Sequence, residues 1–593
     1  MGGLTCSRVG TASVSSGVVL RVSHARHQQW EASALEYFNL GEFHWPISTG
    51  SSEAQCWFDR AMTWCYGFHH EEALACFERA IAHDPECAMA WWGIAYAVGP
   101  NYNKPWCWFD ADDKQRSLER ANSALARAVS LAPAATPREQ ALIGALRDRY
   151  PSGAAPEDMT PFDDAYAAAM RGIQKRFGAD LNVRSLCIEA LMNRTPWQMW
   201  DLGNGVPAPG ADTIEAQALF DAAFAHDPAA HVHAGLLHLY IHLMEMSPHP
   251  ERALPAAERL RTLVPDAGHL VHMATHIDIL CGRYQDVVRW NERAIAADAK
   301  YFSRTSAQNF YTIYRVHNYH FAAYGATFLG QLSTAMRAVE GLAAAIPESL
   351  LRVASPPMAD YLEAYLSVRQ HVLIRFGRWQ EIVTQTVPAD AKLYCVTTAM
   401  IHYAQGVAYA AMGDVAASER SQDAFLRACE RVPESRRLHN NTCRDLLLIA
   451  REMLAGELQY RRGNHDAAFA HLRHSVALDD ALPYDEPWGW MQPARHALGA
   501  LLLEQERVQE AEAVYRADLG LDTTLSRACQ HPDNLWSLHG LDECLARRGA
   551  DRERALVAQR LALARALADV PVTASCFCRL SSCDRKAGAV IGD

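Results

Sequence analysis

The chain has 593 residues, half of them hydrophobic and 21% charged, which is the balance of an ordinary globular protein. A net charge of −12 without a Lys/Arg block excludes nucleic acid and anionic membranes as favoured partners. No run of about 18 apolar residues could span a bilayer. Sixteen scattered cysteines without a CxxC pair indicate reduced thiols in a cytoplasmic compartment.

Residues 1–35 are predicted to form a flexible leader. They contain no acidic residue before Glu31, and Arg8, Arg21 and Arg26 lie among serines. An organellar transit peptide has this composition as well, so an organellar location is the alternative to a cytoplasmic one.

An internal repeat in residues 36–150 indicates the fold. Ala73, Phe77, Ala80 and Pro85 have the spacing of the second helix of a tetratricopeptide repeat (TPR). The small residues let two helices approach closely, the aromatic ring fills the groove between them, and the proline ends the second helix.

The same periodicity returns at 282–298, 463–480 and 506–520, and convincing β-type alternation does not appear in the sequence. The predicted fold is an all-α, TPR-like superhelix (solenoid) of stacked helical hairpins with a concave inner groove. The predicted modules are N-terminal repeats at 36–150, central His-rich hairpins at 151–330 with an ordered loop at 195–213, C-terminal repeats at 331–577 and a tail at 578–593.

Histidines are concentrated in the central module, with the spacing of single helix faces. Ten of the 26 histidines lie in residues 231–320, where about four are expected from the average. One stripe lies on HLYIHLMEMSPHP and a second on GHLVHMATHI. Two helices that each offer a His-x-x-x-His pair can hold one transition-metal ion (zinc, iron or copper) between them. The predicted metal ligands are His238, His242, His272 and His276, with His269 in reserve. The alternative is that these histidines are only the polar lining of a groove.

Three further residues are catalytic candidates. Glu245, one turn beyond the first histidine pair, is predicted to be a fifth ligand or a general base, with a solvated surface charge as the alternative. His317 and His320 follow after a longer segment, so we expect them to contact substrate rather than bind the metal. We expect His69 and His70, at a hairpin turn, to be exposed.

A turn rich in aromatic residues is the candidate substrate site. Tyr484 and Trp488 could clamp a small ligand, with Glu486 and Arg495 at its polar ends, and Trp197 could cap it from the 195–213 loop. The alternative, slightly favoured, is a buried Glu486–Arg495 pair that braces a hairpin.

Long stretches resemble a large group of bacterial TPR-repeat proteins, from about residue 40 to 577. HLYIHLMEMSPHPERALPAAERLRTLVPDAGHLVHMATHIDILCGRYQDV is similar to the group's central signature, and LPYDEPWGWMQPARHALGALLL to a C-terminal one. VHMATHIDILCGRYQDV resembles, more distantly, the tetratricopeptide repeat protein 38 type. The resemblance implies a TPR-like superhelix and no particular activity. Ala274 departs from the group's usual proline, which puts the helix geometry between His272 and His276 in doubt.

The sequence thus predicts a metal-dependent enzyme, either an oxidoreductase or a hydrolase, that acts on a small molecule in the concave groove. The alternative is a TPR module that binds a protein partner, and metal storage or sensing is a third hypothesis. TPR grooves that bind acidic termini offer Lys and Arg clamps, and the histidine stripes here contain few, which favours the enzyme.

Overall fold

The computed structural model describes residues 37–305 and 308–579. The predicted leader (1–35) and residues 580–593 of the predicted tail lie outside the described residues. The chain divides into two units. The short first unit, Met1–Asn39, is described only at residues 37–39, and the second unit, Leu40–Asp593, contains all the described helices and strands.

The second unit is built almost wholly from α-helices. The first eight are α1 (Ser52–Tyr66), α2 (His70–His83), α3 (Ala88–Ala97), α4 (Ala111–Leu131), α5 (Pro137–Leu146), α6 (Thr160–Phe177), α7 (Leu181–Met192) and α8 (Thr213–His226). The central ones are α9 (Ala234–Glu245), α10 (Leu254–Leu263), α11 (Gly268–Leu280), α12 (Tyr284–Thr305), α13 (Thr312–Leu329) and α14 (Leu332–Ala344).

The C-terminal part continues the same architecture. Its helices are α15 (Glu348–Leu351), α16 (Met358–Leu362), α17 (Val368–Arg375), α18 (Trp379–Val383), α19 (Cys395–Ala411), α20 (Val415–Cys429), α21 (Cys443–Arg461), α22 (His465–Asp480), α23 (Ala494–Glu504), α24 (Val508–Asp518), α25 (Leu535–Arg548) and α26 (Asp551–Leu567). Strands β1 (Trp200–Asp201) and β2 (Val206–Pro207) form one antiparallel pair, and β3 (Arg437–Leu438) and β4 (Asn441–Thr442) form another.

Helix packing follows the pattern of a solenoid. Consecutive helices pack as hairpins, and the first helix of one hairpin also packs on the first helix of the next, as α9 does on α11 and α11 on α13. This stacking of equivalent helices distinguishes a repeat superhelix from a closed bundle. The prediction of an all-α, TPR-like solenoid is confirmed.

The predicted repeat residues make the hairpin contact of α2 and α3. Ala73, Phe77 and Ala80 are fully buried. A Cβ added at Gly93 on α3 would lie 2.2 Å from the ring of Phe77, so the glycine allows the two helices to approach. The aromatic side chain thus fills the groove as its spacing predicts.

Inner and outer helices differ in burial. Every residue of α9 and of α11 is buried, whereas the long helix α12 buries only one stripe. A helix that is apolar or buried all round lies in the interior, and an amphipathic one covers it. The histidine stripes therefore lie on inner helices, and they face the interior of the solenoid.

The close approach of α2 and α3 predicts a stability effect. We expect Gly93→Ala to destabilise the fold by about 1–3 kcal/mol, because the new methyl group overpacks the Phe77 ring. Gly172→Ala is the matched control: Gly172 lies inside α6 with open space around its Cα, so alanine should stabilise that helix by roughly 0.5–1 kcal/mol. Thermal unfolding followed by circular dichroism measures both. Equal effects of the two variants would contradict this account of the hairpin contact.

Candidate metal centre

Three successive inner helices bring the histidines together. His238, His242 and Glu245 lie on α9, and His269, His272 and His276 lie on α11. His317 comes from α13. Helix α11 is continuous through Ala274, which is fully buried, so alanine in place of proline leaves the histidines on one helical face.

Five imidazoles close a ring around the interior. Going round it, the ring centroids are 4.8 Å apart for His238 and His242, 5.8 Å for His242 and His276, and 4.6 Å for His276 and His272. His269 completes the ring: its centroid lies 5.8 Å from that of His272 and 4.9 Å from that of His238. The four predicted ligands and the reserve histidine therefore lie in one cluster.

On α9, the hydrogen bonds fix which nitrogen of each histidine faces the cluster. His238 Nδ1 lies 2.6 Å from the carbonyl oxygen of Tyr66, which can only accept, so Nδ1 carries the proton. His242 Nδ1 lies 2.8 Å from Glu245 Oε1 and donates to it. Nε2 of both histidines is buried without a hydrogen-bond partner among the described residues. Each therefore presents an unused lone pair.

The histidines of α11 are oriented in the same way. Asn291 donates through Nδ2 to the carbonyl oxygen of Val287 (2.8 Å), which places its Oδ1 2.7 Å from His272 Nδ1. His272 Nδ1 must therefore donate. His276 Nδ1 donates to Glu245 Oε2 at 2.7 Å. Carboxylate and amide acceptors of this kind set the tautomer of metal-binding histidines.

The two Nε2 atoms of α11 face each other. His272 Nε2 and His276 Nε2 are 2.7 Å apart, and the partners of their Nδ1 atoms leave both with lone pairs. Two lone pairs at this distance repel unless a cation lies between or beside them. Burial, followed by the charge of His276, lowers the pKa of His272 well below its usual range.

Burial disfavours the protonated form of several histidines in the cluster. It lowers the pKa of His238 to about 3, and it also lowers the pKa values of His242 and His269 well below the usual range, with the neighbouring histidines adding to the effect. Neutral imidazole is the form that binds a metal ion. His269 has no hydrogen-bond partner on either ring nitrogen among the described residues, and the Phe68 ring lies 5.8 Å from it.

Two carboxyl groups complete the centre. Glu245 and Glu486 are both buried, and His276 Nδ1 contacts both. Burial and then the neighbouring charge of Glu486 raise the pKa of Glu245 well above its usual range. Burial opposes ionisation of Glu486 too, but His276 and the hydrogen bond from Glu245 lower its pKa overall. Two carboxyl groups that share a buried site oppose each other's ionisation, and of the two Glu245 is the one whose pKa is raised.

Three groups in the centre have ligand atoms close enough to share an ion. In each group the atoms lie within 4.8 Å of one another. The first triad is His238, His242 and His269; the second triad is His272, His276 and His317; the central group is His242, Glu245, His276 and Glu486.

The two histidines of α13 differ. The ring of His317 lies 4.7 Å from that of His272, within the cluster. His320 lies one turn further on and points elsewhere, with Nε2 2.7 Å from Met491 Sδ and its ring edge-on to Tyr365. The expectation that both contact a bound substrate stays a prediction for His317, and the structure does not bring His320 to the cluster.

The candidate substrate residues are divided in the same way. Glu486 reaches His276, and the ring of Trp197 lies 5.4 Å from that of His242. Trp488 donates to Asp479 and is buried away from the histidines. Tyr484 is also buried, and Glu486 and Glu245 raise its pKa after burial itself.

The prediction of a buried Glu486–Arg495 pair is wrong. Arg495 instead pairs with Asp480 at 2.8 Å, because the turn directs Glu486 inward to His276. The expectation that His69 and His70 are exposed is also wrong: they are 1% and 8% exposed. The turn between α1 and α2 is buried inside the solenoid. There the ring of His69 stacks on that of Tyr311, with 3.6 Å between the ring centroids.

Sequence reasoning missed residues that come from distant segments. Phe68 lies 4.4 Å from the His238 ring, Tyr102 lies 4.9 Å from that of His242, and His439 lies 5.8 Å from that of His317. Asn291, the acceptor for His272, was missed as well. The available signal for Asn291 was its position: it is a polar residue on the apolar face of the helix that follows the second histidine stripe.

A cavity of about 550 Å³ borders the cluster. Phe68 and Tyr314 line it, and their rings also contact the histidines, Tyr314 at 4.8 Å from His269. Its polar wall includes the ion pair of Lys104 and Asp113 at 2.9 Å. The cavity has the size of a small-molecule site.

Comparison with known proteins supplies no function. No protein-family model matches the chain, and no curated protein matches it. Among solved structures, the APC/C hetero-tetramer Cut9–Hcn1 aligns at 12% identity over 78% of this chain and 79% of that chain, with a TM-score of 0.28. Naa15/Naa10 bound to HypK-THB aligns at 12% identity over 92% and 74%, with a TM-score of 0.20. At such scores neither likeness bears on the centre.

No helix among the described residues is both long and apolar enough to cross a membrane.

Buried neutral histidines outside the cluster predict acid sensitivity. His371 packs edge-on against Trp490 at 4.6 Å, and burial lowers its pKa from 6.5 to about 3. Because the folded-state pKa is the lower one, the unfolded chain binds the proton first, and stability is lost as pH falls from 6.5 towards 3. When the pH falls from 7 to 5, the unfolding free energy of the wild type should fall by about 2 kcal/mol more than that of His371→Gln, which lacks the titrating imidazole. A pH-independent difference in urea unfolding would contradict a buried neutral His371.

Proposed function

We propose that the protein is a metal-dependent enzyme whose buried histidine cluster binds a transition-metal ion and acts on a small molecule. The observation that supports this most directly is the orientation of the imidazoles. His238, His242, His272 and His276 each keep an Nε2 lone pair, because the Nδ1 proton of each is donated to an acceptor other than a histidine.

The energetics of burial support the same proposal. A buried polar atom without a partner costs roughly 1–3 kcal/mol, and the cluster contains several. A metal ion would satisfy them together, since each lone pair would become a coordinate bond. A merely polar groove lining would be solvated or hydrogen-bonded, whereas these side chains are excluded from solvent.

The donor set points to a class of metal. Imidazole nitrogen suits zinc, copper and iron, and it disfavours calcium and magnesium, which prefer oxygen. Zinc in such a site activates water for hydrolysis, and copper or iron activates dioxygen. Glu245 and Glu486 are the groups that would hold or move a proton beside the ion.

The adjacent cavity supports a small-molecule substrate. Its volume of about 550 Å³ fits a compact organic molecule, and Phe68 and Tyr314 separate it from the imidazoles.

A protein-binding scaffold is the second candidate function. The last helix, α26, leaves Leu556 and Leu563 66% and 73% exposed. An unpaired apolar face at the end of a solenoid is a surface that a partner protein could cover. This face is remote in sequence from the histidines, so the metal measurements below separate the two candidates.

Metal analysis of the full chain, purified without a histidine tag, tests the proposal. We expect at least one equivalent of zinc, copper or iron per chain by elemental mass spectrometry. The double variant His242→Ala/His276→Ala should lose it, because it removes two inward-facing lone pairs. The identity of the metal then selects the assay: dioxygen consumption for copper or iron, hydrolysis of ester and amide panels for zinc.

The matched control removes two exposed histidines, His249 and His474. His249→Ala/His474→Ala should keep the full metal content. The metal-dependent enzyme would be contradicted if the cluster variant kept stoichiometric metal, or if the wild type contained none. The protein-binding scaffold would then be the remaining candidate.

The acceptor behind His272 predicts a second effect. Asn291→Leu removes the oxygen that fixes the His272 tautomer, so metal affinity should fall by about 10–100-fold. Asn318→Leu is the control, since Asn318 is equally buried on α13 but binds Asp298. Competition with a chromophoric chelator measures both affinities. Equal losses in the two variants would mean that general destabilisation, and not the tautomer, is responsible.

A further inference from the structure

We propose that the centre holds two metal ions, one in the first triad and one in the second triad. This inference rests on the proposed function and specifies its cofactor as a pair of late first-row ions, copper or zinc. The two triads share no residue, and each offers three ring nitrogens within 4.8 Å of one another. Nitrogens bound tetrahedrally to one such ion lie about 3.4 Å apart, so the ligand atoms of each triad need a modest rearrangement. In the second triad, His272 Nε2 and His276 Nε2 would move apart from their present 2.7 Å.

The alternative is a single ion in the central group, and it would leave the Nε2 lone pairs of the cluster without a partner. The nitrogens of His242 and His276 that face Glu245 are the Nδ1 atoms, which are already hydrogen-bonded to it. An ion at that position would take those atoms and ignore the Nε2 lone pairs. His272 Nε2 and His276 Nε2 would then still face each other at 2.7 Å without a cation.

Two outer ions use the lone pairs that the hydrogen bonds present. The first triad would take up the orphaned Nε2 atoms of His238 and His242, together with His269, whose ring nitrogens have no partner among the described residues. The second triad would take up the facing Nε2 atoms of His272 and His276, with His317 beside them. Every inward nitrogen then has a defined role.

Glu245 links the two triads. Its two carboxylate oxygens accept from His242 Nδ1 in the first triad and from His276 Nδ1 in the second. The carboxyl group of Glu486 also contacts His276, so both acidic side chains lie beside the proposed ions. A single carboxylate therefore orients a ligand of each ion, which couples the occupancy of the two sites.

Metal titration of the apo protein tests this count. The full chain, stripped by dialysis against a chelator, is titrated with Cu(II) alone and, separately, with Zn(II) alone. We expect two equivalents bound per chain for at least one of these ions. His269→Gln should bind one, since it opens the first triad without breaking a hydrogen bond, and His317→Gln should bind one, since it opens the second.

The matched control is His320→Gln. It lies on α13 one turn from His317, is equally buried, and faces Met491 rather than the cluster, so it should still bind two equivalents. Electron paramagnetic resonance gives a second readout. One isolated Cu(II) spin per chain is expected in each triad variant, and a broadened or diminished signal from two interacting Cu(II) ions is expected in the wild type.

The possible results separate the two proposals. One equivalent in the folded wild type would overturn the pair while leaving the single-metal function in place. No bound metal would overturn both. If circular dichroism shows that His269→Gln does not fold, His238→Gln opens the same triad and takes its place. Two equivalents retained in a folded triad variant would also contradict the assignment.

Discussion

The candidate centre depends on one interaction, the double acceptance by Glu245. Its two oxygens receive the Nδ1 protons of His242 and His276, and so join α9 to α11 at the middle of the cluster. Because Glu245 is fully buried, these bonds form in a low-dielectric interior, where they are stronger than at a surface. The orientation of both imidazoles, and thus the direction of their lone pairs, follows from this carboxyl group. Each of the other two oriented histidines has its own acceptor, Tyr66 or Asn291.

The solenoid explains how so many histidines can face one point. In a TPR-like stack the inner helices of successive hairpins lie side by side, and a residue pair at i, i+4 on each faces the same interior. Helices α9, α11 and α13 are such neighbours. Their histidines are held on rigid, fully buried elements, so little reorganisation would accompany metal binding. The cost is a set of buried lone pairs that have no hydrogen-bond partner among the described residues.

The fold and the histidine stripes could be predicted from sequence because both are local patterns. The TPR spacing around Phe77 and the i, i+4 histidine pairs are read within one or two helices. Glu486 could not be placed this way, since it lies 210 residues beyond His276 and contacts it only in the folded chain. The buried position of His69 was missed because turns are usually at the surface, whereas this turn enters the interior.

Segments from distant parts of the chain pack over the histidine cluster. Phe68, Tyr102 and Trp197 arrive from three separate loops, and their rings cover the α9 histidines. Exclusion of water strengthens every electrostatic interaction among these buried side chains. An interaction module has no use for such a covered interior, because a peptide must reach the groove that it binds. The aromatic side chains that cover the α9 histidines therefore also keep a peptide from reaching them in this conformation.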